Sequence, residues 1–137
     1  MISHYIITLW IGFGALQTNE HAVSITFNNL PSNKGKIALA VYRPSDEFLS
    51  DNPYRSKLIP VDSEQPVLNT TLPSGVYAIS LYHDENNNDQ LDKSMVGLPK
   101  EGYGFSNDAM GLFGPPSFEK ASFKVTNDTS FVITIQN

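Results

Sequence analysis

One short stretch gathers most of the oxygen chemistry of this chain: His83-Asp84-Glu85-Asn86-Asn87-Asn88-Asp89-Gln90-Leu91-Asp92. Counted from Asp84, the residues Asp84, Asn86, Asn88 and Asp92 stand first, third, fifth and ninth. In a tightly coiled loop alternate residues point inward, so this spacing turns two carboxylates and two amide carbonyls toward one point. Ca2+ takes about 6–8 oxygen ligands at about 2.3–2.6 Å, and these groups supply them. The carbonyl of Gln90 stands where a main-chain ligand belongs. Glu101 is a distal carboxylate able to complete the shell, with Asp108 as the alternative. The candidate ligands are therefore Asp84, Asn86, Asn88, Gln90, Asp92 and Glu101, and the candidate cofactor is Ca2+. Mg2+ fits less well because it prefers fewer protein ligands.

Two residues depart from the helix–loop–helix calcium pattern. Asp89 replaces the sixth-position glycine, and Met95 replaces the bidentate glutamate at the twelfth. Asp can take the left-handed conformation that the glycine position demands, at a cost. The competing reading is an Asx-rich turn whose side chains bond their own backbone without metal. Asp84, Asp89 and Asp92 repel one another unless a cation or Lys93 relieves them.

Other chemistry is thin. There is no cysteine, which excludes disulfides, thiol catalysis and cysteine-ligated zinc. His83 is the one histidine well inside the expected mature chain, and no nucleophile-elbow sequence accompanies it. It reads as a strand-end residue beside Tyr82, or one that orients Asp84. Asp84 and Glu101 form a glycosidase pair only if they face a cleft about 5–9.5 Å apart. The glycine-aromatic segments around Tyr103, Phe105 and Phe113 read as anchors of a long loop, or as a ligand platform.

The scaffold that must carry these residues is one domain. The chain has 137 residues and a formal net charge of −5, with Lys and Arg scattered singly. That pattern argues against nucleic acid and against an anionic membrane surface. Residues 5–16 form an apolar run of signal-peptide length, too short for a comfortable transmembrane helix. Residues 1–22 are predicted to be a signal peptide, cut after Gln17 or Ala22, and residues 23–137 the domain. A core strand or an uncleaved anchor is the alternative for the apolar run. Export to the periplasm or the extracellular space follows, with no stable membrane span after signal removal.

Period-two alternation predicts strands at 23–28, 36–42, 57–61, 67–72, 76–83, 117–126 and 130–136. Pro, Asn and Gly punctuate them. About seven short strands without an amphipathic helix point to an all-β fold: a single antiparallel β-sandwich, immunoglobulin-like or transthyretin-like. Between residues 83 and 118 no strand is predicted. That segment carries Met95, Val96, Leu98, Tyr103, Phe105, Met110, Leu112 and Phe113, so it is expected to be ordered, with these side chains buried over one end of the sandwich.

Four ordered motifs carry a family resemblance. They are Leu72-Pro73-Ser74-Gly75-Val76-Tyr77-Ala78, then His83-Asp84-Glu85-Asn86-x-Asn88-x-x-x-Asp92, then Gly97-Leu98-Pro99-x-Glu101-x-Tyr103-Gly104-Phe105-Ser106-Asn107, then Phe113-Gly114-Pro115-Pro116-Ser117-Phe118. Together they resemble a bacterial family catalogued as domain of unknown function 2141, over roughly residues 23–137. The resemblance implies an exported bacterial protein with one small β domain and no established activity. The Pro-Ser-Gly-Val-Tyr-Ala segment is also similar to transthyretin-like and carboxypeptidase-regulatory-like sandwiches, at the level of fold alone.

The functional expectation is an exported, non-enzymatic β-sandwich. Its Ca2+ loop orders a surface for a protein partner or an envelope glycan. The alternatives are a glycan-acting hydrolase using Asp84 and Glu101, and a structural or adhesion domain without metal.

Overall fold

The computed structural model describes residues 19–137. The apolar run at 5–16 and most of the expected signal peptide lie outside the described residues. Strand β1 spans Glu20–Asn28, so residues 20–22 already belong to the first strand. The order continues with β2 (Lys36–Tyr42), β3 (Arg55–Pro60), β4 (Val67–Pro73) and β5 (Gly75–Asp84). Then come β6 (Tyr103–Phe105), a 3-10 turn at Ser106–Asp108, α1 (Phe118–Ala121), β7 (Phe123–Val125) and β8 (Thr129–Thr134).

Two sheets face each other. One has the order β4-β1-β8 and the other β3-β2-β5-β6, with β7 pairing the first residues of β5. Their facing side chains follow the predicted alternation. Val23, Ile25 and Phe27 of β1 meet Ile37, Leu39 and Val41 of β2 and Tyr77, Ile79 and Leu81 of β5 in one core. Val125, Ile133 and Ile135 close it. The edge strand β3 carries Arg55, Lys57 and Pro60, which discourage further pairing. Among the described residues no helix is long and apolar enough to cross a membrane.

The all-β sandwich holds, and four details differ from the sequence reading. The pairing of β1 with β8 is parallel, with Val23 opposite Thr129 and Asn28 opposite Thr134. The segment 83–118 contains a strand after all: β6 pairs β5 through Ser80–Phe105, Leu81–Gly104 and Tyr82–Tyr103. The strand predicted at 117–126 is instead α1 followed by β7. Ser117 caps that helical turn by accepting from the Lys120 N–H, which stops the extended run.

The fourth difference concerns burial. Phe105 is buried, and Tyr103 packs half-buried against its cluster with Ala78 and Ala121. Met95, Val96, Leu98, Met110, Leu112 and Phe113 are exposed, against expectation. The outer face of β5 is narrow at Ala78, and Phe105, Phe48 and Phe118 already cover it, leaving the remaining apolar residues outside.

Candidate cation-binding loop

β2 and β5 position the acidic loop. Their antiparallel register sets Lys36 opposite Asp84 and Ile37 opposite His83. Gly35 precedes β2 with φ +72°, a conformation that suits glycine. A Cβ there would lie 2.0 Å from the Asp84 carbonyl oxygen. The two chains thus meet backbone to backbone at the point where the loop begins. His83 is fully buried, and its Nε2 donates to the Lys34 carbonyl at 2.6 Å. It helps to hold the root of the loop, as a strand-end residue.

Asp84 is fully buried. Its Oδ1 accepts from the Asn88 N–H at 3.1 Å and its Oδ2 from the Asp89 N–H at 2.9 Å. The chain therefore coils back over the carboxylate. Asn87 and Asp89 sit in the left-handed region, at φ 54° and 61°. Asp89 accordingly adopts the conformation that glycine would supply at this position. Asn86 Nδ2 and Asn88 Nδ2 donate to the two oxygens of Asp92, each at 2.8 Å. These amides hold the Asp92 carboxyl below the usual carboxylate range, Asn88 contributing most.

Glu101 closes the other side. It is 8% exposed, and its two oxygens accept from the Glu85 N–H and the Asp92 N–H, each at 2.9 Å. Two buried carboxylates thus pin the two ends of the loop through main-chain N–H groups. Gln90 is exposed and gives its N–H to Asn88 Oδ1 at 3.1 Å. Asp108 is remote in role: its Oδ1 accepts from the Thr134 N–H on β8 at 2.8 Å.

The counter-ion is Lys36, where the sequence suggested Lys93. The Lys36 ammonium pairs with Asp89 and lies 3.8 Å from Asp84 Oδ2. Its pKa is raised, first by the hydrogen bond to Asp89 and then by the charges of Asp89 and Asp84. Lys36 is far from the loop in sequence, and only the β2–β5 register brings it there. Burial, with help from Asp84, Asp89 and Glu101, likewise pushes the Tyr82 hydroxyl up.

Asp84, Asn86, Asn88, Asp92 and Glu101 therefore share one hydrogen-bonded loop, and Gln90 joins through its backbone. Among the described residues no three His, Cys, Asp or Glu side chains gather closely enough to hold an ion by themselves. Amide and main-chain oxygens would have to provide most of a shell. The donor set fits Ca2+, which accepts neutral oxygens, and does not fit zinc.

A second polar cluster, whose Ser106 and Asn107 are not among the residues expected to form a site, lies at Ser106–Asp108. Ser106 is fully buried; its Oγ accepts from the Ile79 N–H at 2.9 Å and donates to the Ala121 carbonyl. Asn107, at φ 61°, gives Nδ2 to the carbonyls of Lys120 and Ser122. With Asp108 bound to β8, three consecutive residues tie β5, α1 and β8 together. The Ser-Asn-Asp run after an aromatic strand was the available signal.

No curated protein and no solved structure matches the chain. A family model described as "Uncharacterized protein conserved in bacteria (DUF2141)" matches residues 25–132. The match runs from within β1 to within β8, with the acidic loop inside it, and the chain belongs to the DUF2141 family.

Proposed function

We propose that this domain is an exported, non-enzymatic binding module whose loop at 84–101 takes up Ca2+ and so fixes the surface presented to a protein or glycan partner. One observation carries the proposal. A fully buried Asp84 lies at the loop root, with the coil drawn over it, while Asn86, Asn88 and Asp92 converge side chain to side chain. The amide NH2 groups on Asp92 occupy the place of a positive partner. Turning each amide about its last bond would offer oxygen instead. Export rests on the apolar run at 5–16.

Few carboxylates and many neutral donors place such a site among weak extracellular calcium modules, with Kd about 10⁻⁴–10⁻³ M. Calorimetry of the full chain with Ca2+, Mg2+ or EDTA tests it. At about 10 mM Ca2+ the stabilisation is RT ln(1 + [L]/Kd), roughly 1.4–2.7 kcal/mol. That corresponds to a rise in Tm of roughly 4–12 °C, absent with EDTA and absent in Asp92→Ala. No calcium-dependent shift at that concentration refutes the proposal.

A second reading, a metal-free structural or adhesion domain, draws on Lys36. Its ammonium already serves the acids, and the loop amides satisfy one another. The same calorimetry separates the two. The hydrolase reading gains nothing from the geometry, since both oxygens of Asp84 and of Glu101 accept main-chain N–H groups.

A further inference from the structure

Residues 93–100 form a small hairpin that stands off the acidic loop. Lys93 and Pro99 make an antiparallel bridge. Ser94 N donates to the Leu98 carbonyl at 2.7 Å, and Gly97 N to the Ser94 carbonyl at 2.9 Å. Leu98 N donates to Ser94 Oγ at 3.2 Å. Gly97, at φ +83°, makes the turn. At the root, Lys100 N donates to the Asp92 carbonyl at 2.7 Å, and Glu101 holds the Asp92 N–H. The hairpin is therefore a fixed shape.

That fixed shape holds its apolar residues in water. Met95, Val96 and Leu98 are 106%, 80% and 64% exposed. Lys93 and Lys100 flank them, both exposed and without an ion-pair partner among the described residues. We propose that this hairpin docks on a phospholipid surface. Met95, Val96 and Leu98 enter the headgroup–acyl boundary, and Lys93 and Lys100 meet anionic headgroups.

Shape and charge select this occupant. Three side chains on a narrow tip fall well short of the roughly 800 Å² per partner that a stable protein interface or a second copy needs. A bilayer accepts a point, because apolar groups sink about 5–10 Å while lysines stay at the headgroup level. Leu112 and Phe113 form another exposed apolar pair, 87% and 98% exposed. The charges nearest to them in sequence are Asp108 and Glu119, so that tip lacks the cationic collar. Singly scattered Lys and Arg and a net charge of −5 give no long-range attraction to an anionic membrane, and Asp92 and Glu101 adjoin the two lysines, so docking is weak, short-ranged and led by the apolar side chains.

The chain lacks cysteine, so one introduced thiol reports one place. Val96→Cys and, on β3, Lys57→Cys are each labelled with an environment-sensitive nitrobenzoxadiazole dye in the full chain. Vesicles of phosphatidylethanolamine and phosphatidylglycerol are then added in EDTA, which makes the result independent of the metal reading. Emission at residue 96 is expected to rise at least roughly twofold, as the dye enters the interface. Residue 57 stays unchanged. Met95→Asp or the pair Lys93→Gln and Lys100→Gln, placed in the labelled chain, removes most of the rise. No rise at residue 96, or an equal rise at residue 57, overturns the proposal. So does a rise that follows protein concentration without vesicles, which marks self-association.

Discussion

Asp84→Ala in EDTA tests the central structural claim, that a buried carboxylate holds the loop whether or not metal binds. The side chain is fully buried and accepts two main-chain N–H groups, at 3.1 and 2.9 Å. A hydrogen bond to a charged acceptor contributes about 1.5–3 kcal/mol. Asn88 and Asp89 are exposed, so once released their donors recover water and each bond counts at the low end. A carboxyl-sized void adds to this. The expected loss is about 3–4 kcal/mol, a large share of the roughly 5–15 kcal/mol typical of a domain. Urea unfolding reads it as a lower midpoint with unchanged m. Asp84→Asn keeps one acceptor but turns an NH2 group toward an N–H, and should cost about 1–2 kcal/mol. Glu101→Ala frees the Glu85 and Asp92 N–H groups and should resemble Asp84→Ala. The double variant should cost less than the sum, since both acids close the same loop. An Asp84→Ala protein within about 0.5 kcal/mol of the parent refutes the reasoning.

Three further outcomes follow from other contacts. Gly35→Ala must relieve a Cβ at 2.0 Å from the Asp84 carbonyl and hold φ at +72°; a loss of about 2–4 kcal/mol is expected in urea unfolding. Asn107→Ala loses two bonds to α1 and its flank and leaves alanine at φ 61°. It should cost about 2–3 kcal/mol, with Asn107→Gly recovering the backbone part, by thermal melts of both variants. Asp92 has a lowered pKa when folded, so its contribution is full above the unfolded value near 3.9 and is lost as pH falls through the folded value. Tm of Asp92→Asn should therefore fall less steeply than the parent's below about pH 4.

Much of the sandwich was legible because alternation is a local property. Ile37, Leu39 and Val41 declare one face of β2 with no knowledge of the partner. Tyr77, Ile79 and Leu81 do the same for β5. The acidic loop was legible as residues but not as an electrostatic unit, because Lys36 joins it through strand register. Register is a long-range outcome. Burial in 83–118 failed for a related reason: apolar character alone does not reveal whether a surface remains to cover. Phe105 found Ala78 and Ala121, while Phe113 found none. The three-residue β6 and the cap at Ser117 rest on three residue pairs with β5 and on one hydroxyl, below what a period-two scan can detect.

Lys36 decides between the two readings of the loop more sharply than any acid does. Asp84, Asp92 and Glu101 are each bound to the loop's own N–H or amide groups, so removing one damages the fold under either reading. Lys36 touches Asp89 and Asp84 from another strand and holds no main-chain group of the loop. If the loop is metal-free, this ammonium is the counter-ion that belongs there. Lys36→Met then leaves Asp84 and Asp89 uncompensated, and Ca2+ changes nothing. If the loop takes Ca2+, the ammonium competes with the ion for Asp84, because two positive charges at one carboxylate repel. Lys36→Met then weakens the protein in EDTA but tightens Ca2+ binding by several-fold, so that saturating Ca2+ restores at least the parent's Tm. Isothermal titration of the two proteins at low ionic strength, where screening is least, measures the change directly. Equal or weaker Ca2+ affinity in Lys36→Met removes the ion from Asp84.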